Sequence, residues 1–352
     1  MQIFKHLIRE PVKRGIDHGD EGIPIPLELL NRFTNNIKKG QFVAIGGKAN
    51  TGKTSFMDFS YMMTVYRWWK GQPEETRPPL KLIYFNMKHS WKNKFQKWVC
   101  LFMKQEYNKV IDINTLNSGI GRLYDLDEET IAQIMTAESF FEEMETEGVL
   151  EIINGQQTPT SIYNRVKHTM ASCGTLDSKS TKYTLNSEHA NQISMVFIDT
   201  ADYLLSENEG FGSLTPDQLK KKLTDYIFEF KNIYNITTCV VIASKYLGKG
   251  VKENEPNYKE LGIFGLRPDL SIILYNPFNE SNNNYLSYDV KEFVLSGKNR
   301  LRTATIVRNT NGIENITKGL FFFGECGYFA EAPRPEQEAE IFDILDILRK
   351  LP

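Results

Sequence analysis

No segment of this sequence reaches the run of about 18 uncharged apolar residues that a membrane-spanning helix needs. The N-terminus, MQIFKHLIREPVKRG, lacks the apolar stretch of a secretory leader. Cysteine is scarce: Cys100, Cys173, Cys239 and Cys326 stand far apart with no C-x-x-C pair, and the five histidines do not gather beside them. That spacing argues against a disulfide framework and against zinc, and it fits a reducing compartment. Net charge is small as well. With 42 Lys+Arg against 44 Asp+Glu the formal charge is −2, so a protein that coats nucleic acid through a globally basic surface is excluded. These absences lead to the expectation of a soluble, cytoplasmic chain with no membrane contact.

What is present suffices for a large core. The 352 residues are 41% hydrophobic and 24% charged, enough for one large α/β domain or two smaller ones. Short apolar runs recur at 41–46, 81–86, 149–153, 194–198, 238–243 and 270–275, most of them separated by helix-length segments. Alternation of this kind predicts an α/β fold with a mainly parallel sheet flanked by helices. After residue 291 the runs VLSGKNR, TATIVRN and GLFFFG follow one another closely, which predicts an antiparallel C-terminal extension. The polar segments 174–190 and 276–290 read as surface excursions. Residues 1–22 read as an arm or linker, 23–334 as one domain, and 335–352 as an amphipathic helix with Ile341, Ile344, Leu345 and Leu348 on one face.

The most specific feature is Gly47-Lys48-Ala49-Asn50-Thr51-Gly52-Lys53-Thr54, a complete G-x-x-x-x-G-K-[ST] loop between a predicted strand and a predicted helix that opens with Ser55. The bare pattern arises by chance in about one chain in a hundred of this length, and the strand and helix around it make chance rarer still. Its chemistry is that of a P-loop binding ATP and Mg²⁺. Glycines let backbone amides converge on phosphates, Lys53 reaches the β- and γ-phosphates, and Thr54 contributes to the metal. Asp199, at the exit of the apolar run Met195–Ile198, supplies the carboxylate that such a site uses to fix the magnesium. Asp202 reads as a surface or capping residue.

With these residues in view, a family resemblance emerges. Gly22-Ile23-Pro24 through Leu29-Leu30-Asn31, continuing to Lys39-Gly40-Gln41-Phe42-Val43, resembles the lead-in to the RecA-like ATPase domain of DnaB-type replicative helicases, in phage-encoded form. Val240–Lys245 looks like the family's strand ending in S-Q, Arg267-Pro268-Asp269-Leu270 its "DADL" strand, and Gly297-Lys298-Asn299-Arg300 its "G-K-x-R". Residues 319–332, GLFFFGECGYFAEA, resemble the terminal strands of phage members. The likeness spans roughly residues 20–332. It implies a RecA-like P-loop NTPase fold, assembly as a ring or hexamer, single-stranded DNA as partner, and ATP-driven unwinding in replication in a bacterial host cytoplasm. Lys298 and Arg300 would reach the nucleotide of a neighbouring subunit. About 20 residues precede the lead-in, leaving no room for the family's N-terminal collar domain.

Two positions depart from the family. Its water-polarising Glu falls at Lys88, and no carboxylate occurs between residues 81 and 105 to replace it. General-base assistance contributes about 10²–10⁴ in rate, so binding is expected to survive and hydrolysis to slow. The family's γ-phosphate-sensing Gln falls at Lys245. Lys245, Lys249 and Lys252, in a glycine-containing loop that runs to Arg267, are the candidates for DNA contact, countered by Glu253, Glu255 and Glu260. Segment 88–104 interleaves lysines with Trp91, Phe95 and Trp98, a pattern that suits single strands. It equally fits an amphipathic helix with Phe95, Trp98, Val99 and Phe102 inward and its lysines in solvent, the reading preferred here. Two function classes remain open: a helicase ATPase, and a degenerate relative that binds ATP as a structural or regulatory subunit without hydrolysing it. A recombinase- or clock-like RecA ATPase fits the P-loop but not the G-K-x-R or terminal matches.

Overall fold

The computed structural model describes residues 22–117, 126–177, 179, 181–210, 212–244, 256–280, 284–291, 299–334 and 336–337. The N-terminal arm and the C-terminal helix expected from sequence thus lie almost wholly outside the described residues, as do Lys245, Lys249, Lys252 and Lys298.

The strands are β1 (Phe42–Gly47), β2 (Leu80–Asn86), β3 (Leu150–Asn154), β4 (Ile193–Asp199), β5 (Thr237–Ala243), β6 (Leu270–Tyr275), β7 (Leu301–Asn309), β8 (Ile316–Phe323) and β9 (Tyr328–Glu331). Among the described residues they form one nine-stranded sheet in the order β9-β8-β7-β6-β1-β5-β4-β2-β3. From β6 across to β3 every pairing is parallel, whereas β6-β7, β7-β8 and β8-β9 are antiparallel. The expected α/β class and its antiparallel extension are therefore present. The extension begins at Leu301, because the VLSGKN portion of the first run falls largely outside the described residues.

Side chains on successive strand residues point to opposite faces, and the central strands are apolar on both. On one face Val43, Ile45, Leu82, Tyr84, Met195 and Phe197 join a core with Phe56, Met62, Trp98 and Phe329. On the other, Phe42, Ala44, Ile83, Phe85, Val196 and Ile198 pack with Ile162, Leu223, Ile227 and Phe230. Helix α1 (Glu28–Thr34) precedes β1. Helix α2 runs from Lys53–Met57 through a π-helical stretch, Asp58–Met63, to Thr64–Lys70. Helices α3 (Trp91–Tyr107) and α4 (Glu128–Thr146) cover the first face with it, and α5 (Pro159–Cys173) and α6 (Pro216–Tyr234) cover the second. Their starts carry the expected caps: Ser90 accepts from the Asn93 amide, and Thr215 and Gln218 form a reciprocal capping box ahead of α6.

One of the two expected surface excursions needs correction. The first is as expected: Gly174–Asp177 pairs with Lys182–Leu185 in a small, largely exposed hairpin. The polar segment 276–290 includes a hairpin whose Tyr285 and Tyr288 are buried, Tyr285 against Tyr275 and Tyr288 with its hydroxyl donating to the Pro333 carbonyl. Aromatic rings in a polar, asparagine-rich stretch look exposed in composition, yet tyrosine buries its ring and keeps a polar tip bonded.

In α3, Trp98, Val99 and Phe102 are buried as expected and Phe95 is half-buried. Trp98 stacks on Phe141 of α4 and meets the edge of Tyr84 in β2, tying two helices to the sheet. Trp98→Ala should cost about 3–5 kcal/mol in urea unfolding, against about 0.5 or less for exposed Lys92→Ala on the same helix. A Trp98 variant as stable as the parent would contradict this packing.

Candidate nucleotide site

The P-loop leaves β1 at Gly47, whose φ of +146° suits glycine and whose absent Cβ would lie 2.4 Å from the Leu274 carbonyl oxygen. Gly52, with φ of +93°, faces Phe329 and Phe322, where a Cβ would sit 2.9 Å and 3.0 Å from ring atoms. Asn50 also takes a positive φ, a conformation asparagine tolerates. Within the loop, the Thr51 hydroxyl donates to the Lys48 carbonyl at 3.0 Å, and Lys53 Nζ donates to the same carbonyl at 2.6 Å. The Lys53 ammonium therefore curls over the loop at the start of α2. Ala49, Asn50, Gly52, Thr54 and Ser55 line an open cleft of about 510 Å³.

Opposite the loop, β2 and β4 end in register at Asn86 and Asp199. The Thr54 hydroxyl donates to Asp199 Oδ1 at 2.7 Å, so the two residues assigned to magnesium from sequence do meet. The other carboxylate oxygen is engaged from behind. Lys94 Nζ, reaching in from α3, lies 3.2 Å from Asp199 Oδ2 and 2.7 Å from Asp58 Oδ2. The Tyr84 hydroxyl sits 2.8 Å from Asp58 Oδ1 and 3.4 Å from Asp199 Oδ2, and its ring centre is 4.5 Å from the same ammonium. Lys94 is 1% exposed and Asp199 0%, which overturns for Lys94 the expectation that the lysines of 88–104 are solvated, while Lys88 and Lys92 are exposed as expected. Burial pushes the Asp199 carboxyl up, but Lys94, the Thr54 hydroxyl and His89 together outweigh it and hold Asp199 below the usual range. For Asp58, burial and the neighbouring Asp199 charge win over Lys94, and its carboxyl is raised.

Asp202 is also more than a surface residue. It lines the cleft, accepts from the Ala243 amide at 2.6 Å and from the Thr200 hydroxyl at 3.0 Å, and pairs with Lys220 of α6 at 2.8 Å. It thereby ties the end of β4 to the end of β5. Lys88, His89 and Lys97 complete the cleft wall beneath α3, and Phe322 and Gly324 close it from the terminal strands. Burial lowers the His89 imidazole from its ordinary value, with Lys97, Lys94 and Lys88 reinforcing it against Asp199.

Arg300 is 2% exposed; its guanidinium bonds both Glu325 carboxylate oxygens, at 3.1 Å and 2.9 Å, and lies over Phe323. Two residues on, Arg302 stacks over Phe322 and reaches the Asn50 carbonyl at 3.5 Å, bracing the P-loop from β7. Of the glycine-containing loop 245–267, the described part includes a 3₁₀ turn, Tyr258–Leu261, and a short helix, Ile263–Leu266, with Leu261 and Phe264 in the core. At the end of that loop Arg267 pairs with Asp225 of α6.

Sequence reasoning did not consider Asp58, and it read Lys94 and Lys97 as solvated lysines and Asp202 as a surface or capping residue. A spacing signal existed for two of them: Asp58 follows Thr54 by four residues on one helix, and Lys94 precedes the core residue Trp98 by four.

The sheet order, with a P-loop leaving the central strand and a carboxylate ending β4, defines a RecA-like P-loop NTPase fold. The chain aligns with a solved structure described as "ATPase Domain of G40P" at a TM-score of 0.66 and 14% identity, covering 94% of this chain and 99% of that one. It aligns with another, "The Structure Of A DnaB-Like Replicative Helicase And Its Interactions With Primase", at a TM-score of 0.65 and 14% identity, covering 95% and 67%. No family model and no curated protein matches the chain. The fold is thus that of DnaB-like helicase ATPase domains. Among the described residues, no group of three or more His, Cys, Asp or Glu side chains is arranged to hold a metal, and no helix is long and apolar enough to cross a membrane.

Burial, then the Lys88 charge, depress the Lys53 ammonium to about 8, with Asp202 and Asp199 opposing them. In the ligand-free protein, NMR of labelled lysine should show Lys53 losing its proton as pH rises through about 8. Lys88→Gln, which removes a like charge, should move that midpoint upward; an ordinary lysine midpoint in the parent would refute the electrostatic picture.

Proposed function

We propose that the chain is the ATPase core of a DnaB-like replicative helicase: a protein that binds Mg-ATP at the P-loop, assembles as a ring and engages single-stranded DNA, with slow intrinsic hydrolysis. The observation that carries the nucleotide reading is the complete P-loop with the Thr54 hydroxyl already bonded to Asp199. The donor set suits the cofactors. Gly47 and Gly52 let the loop pass against the Leu274 carbonyl and the Phe322 and Phe329 rings in a conformation that presents backbone amides, and Thr54 Oγ1 with Asp199 Oδ1 offers hard oxygens of the kind magnesium takes. Bound magnesium supplies neutralisation of the β- and γ-phosphate oxygens. For its part the chain binds phosphates through loop amides, orients them with Lys53, and holds Asp199 ionised.

Slow hydrolysis is supported by what lines the cleft. Its carboxylates among the described residues are Asp199, bonded to Thr54 and Lys94, and Asp202, paired with Lys220. Neither is free to accept a proton from water, and Lys88 stands exposed at the cleft with an ammonium that cannot. This same observation supports the second reading, a nucleotide-binding relative whose role is structural or regulatory. Ring assembly and DNA binding rest on the fold likeness and on the G-K-x-R resemblance. For Arg300 to serve a neighbour's γ-phosphate it must exchange Glu325 for that phosphate, a swap between two planar, bidentate partners that guanidinium suits.

Equilibrium binding of ATP with magnesium should be strong in the parent and at least about tenfold weaker in Lys53→Ala, which removes a charge-assisted donor to phosphate. Equal affinities would sink the nucleotide assignment. Steady-state ATPase of the parent should be slow with and without single-stranded DNA, and Lys88→Glu should raise it by about tenfold or more if the base is what is lacking. A parent rate typical of helicases, stimulated by DNA, would mean that another carboxylate serves as base and would return the chain to an active motor.

A further inference from the structure

Three lysines line the cleft beside two carboxylates, each of which already has an ammonium next to it. Asp199 has Lys94 at 3.2 Å and Asp202 has Lys220 at 2.8 Å. Lys53, Lys88 and Lys97 all line the cleft, and among the described residues none of them has a carboxylate within ion-pair distance. Lys94 itself is a built feature. It springs from the first turn of α3, shares its ammonium between Asp58 and Asp199, and has the Tyr84 ring beneath it. Asp58 opens the π-helical stretch of α2, and the four groups are sealed from solvent.

Resting on the nucleotide reading above, we propose that Lys94 is a resident counter-cation of the site: by neutralising Asp199 from behind, it lets Lys53, Lys88 and Lys97 bind a nucleoside triphosphate with little need of a divalent metal. In a site without this cation, Asp199 would face the phosphates as an unscreened anion, and metal would have to bridge the two. Here part of that compensation is a side chain of the protein itself. Magnesium still has Thr54 and Asp199 Oδ1 to bind, so it remains available to any chemistry while contributing less to affinity.

The test is ATP binding by calorimetry, in EDTA and in magnesium chloride, on the full chain. The parent should show affinities within about threefold of each other in the two conditions. Lys94→Met should bind ATP about tenfold or more weakly in EDTA, with magnesium restoring most of the loss. Because Lys94→Met strands Asp58 and Asp199 together and can fail to fold, Lys94→Met with Asp58→Asn, checked by circular dichroism, is the companion variant and should show the same gain of metal dependence. Lys88→Ser with Lys97→Ser, changed at the cleft wall and not in the buried cluster, should also become metal-dependent. Parent binding that collapses in EDTA, or folded Lys94 variants with unchanged metal-free affinity, would overturn the proposal while leaving the nucleotide site intact. Absence of ATP binding under both conditions would instead overturn the nucleotide reading on which it rests.

Discussion

Everything around the cleft depends on one buried ammonium. Lys94 brings a charge into a space bounded by α2, α3, β2 and β4, and that space is stable only because Asp58, Asp199 and the Tyr84 ring meet it there. Bringing ions out of water is costly, and removing one partner of such a buried set typically loses about 3–5 kcal/mol because the others are left uncompensated. The cluster therefore fixes position more than it adds stability. It sets the depth of α3 against the sheet, holds the Asp199 carboxylate toward Thr54, and places Lys88, His89 and Lys97 along the cleft, since they sit on or just before the same helix.

A second constraint comes from the far end of the chain. The antiparallel strands β8 and β9 carry Phe322 and Phe329, stacked on one another and set against Gly52, while Phe329 also meets Phe56 in α2. Arg302 adds a contact from β7 to the Asn50 carbonyl. A loop with several positive-φ residues has little conformational preference of its own, and aromatic walls around it restrict what it can adopt. The P-loop is thus held between the buried ion cluster below α3 and an aromatic layer supplied by strands from the other end of the sequence.

Much of this was legible in the sequence, for identifiable reasons. The parallel strands were readable because strands covered on both faces are apolar throughout, and the P-loop because its chemistry demands glycine, lysine and threonine at fixed spacing. The meeting of Thr54 with Asp199 followed from the same logic. What stayed hidden depended on tertiary context. Nothing in a Lys-rich amphipathic stretch distinguishes Lys94, which turns inward, from Lys92, which does not, because the deciding partners, Asp58 and Tyr84, lie on other elements. Tyr285 and Tyr288 were hidden by neighbouring asparagines, and Asp202 by its resemblance to an ordinary turn residue. The engagement of Arg300 by Glu325 joins positions 25 residues apart across a strand pair, beyond any local pattern.

These arrangements bear on how binding and turnover divide under the proposed reading. A cation equally close to the phosphates before and during reaction stabilises both states alike; it raises affinity and leaves the barrier where it was. Under the proposed function, Lys88 and Lys97 would be of that kind, since both line the cleft wall on or just before α3. A charge that arrives only as the γ-phosphoryl group loosens lowers the barrier instead. Arg300 is suited to that second role, since it is withheld in a bidentate pair with Glu325 and becomes available only when that pair opens. Under the proposed function, ground-state binding by resident lysines with the differential charge held in reserve at Arg300 would give a subunit that holds nucleotide firmly and turns it over only when a neighbouring copy presents the withheld group.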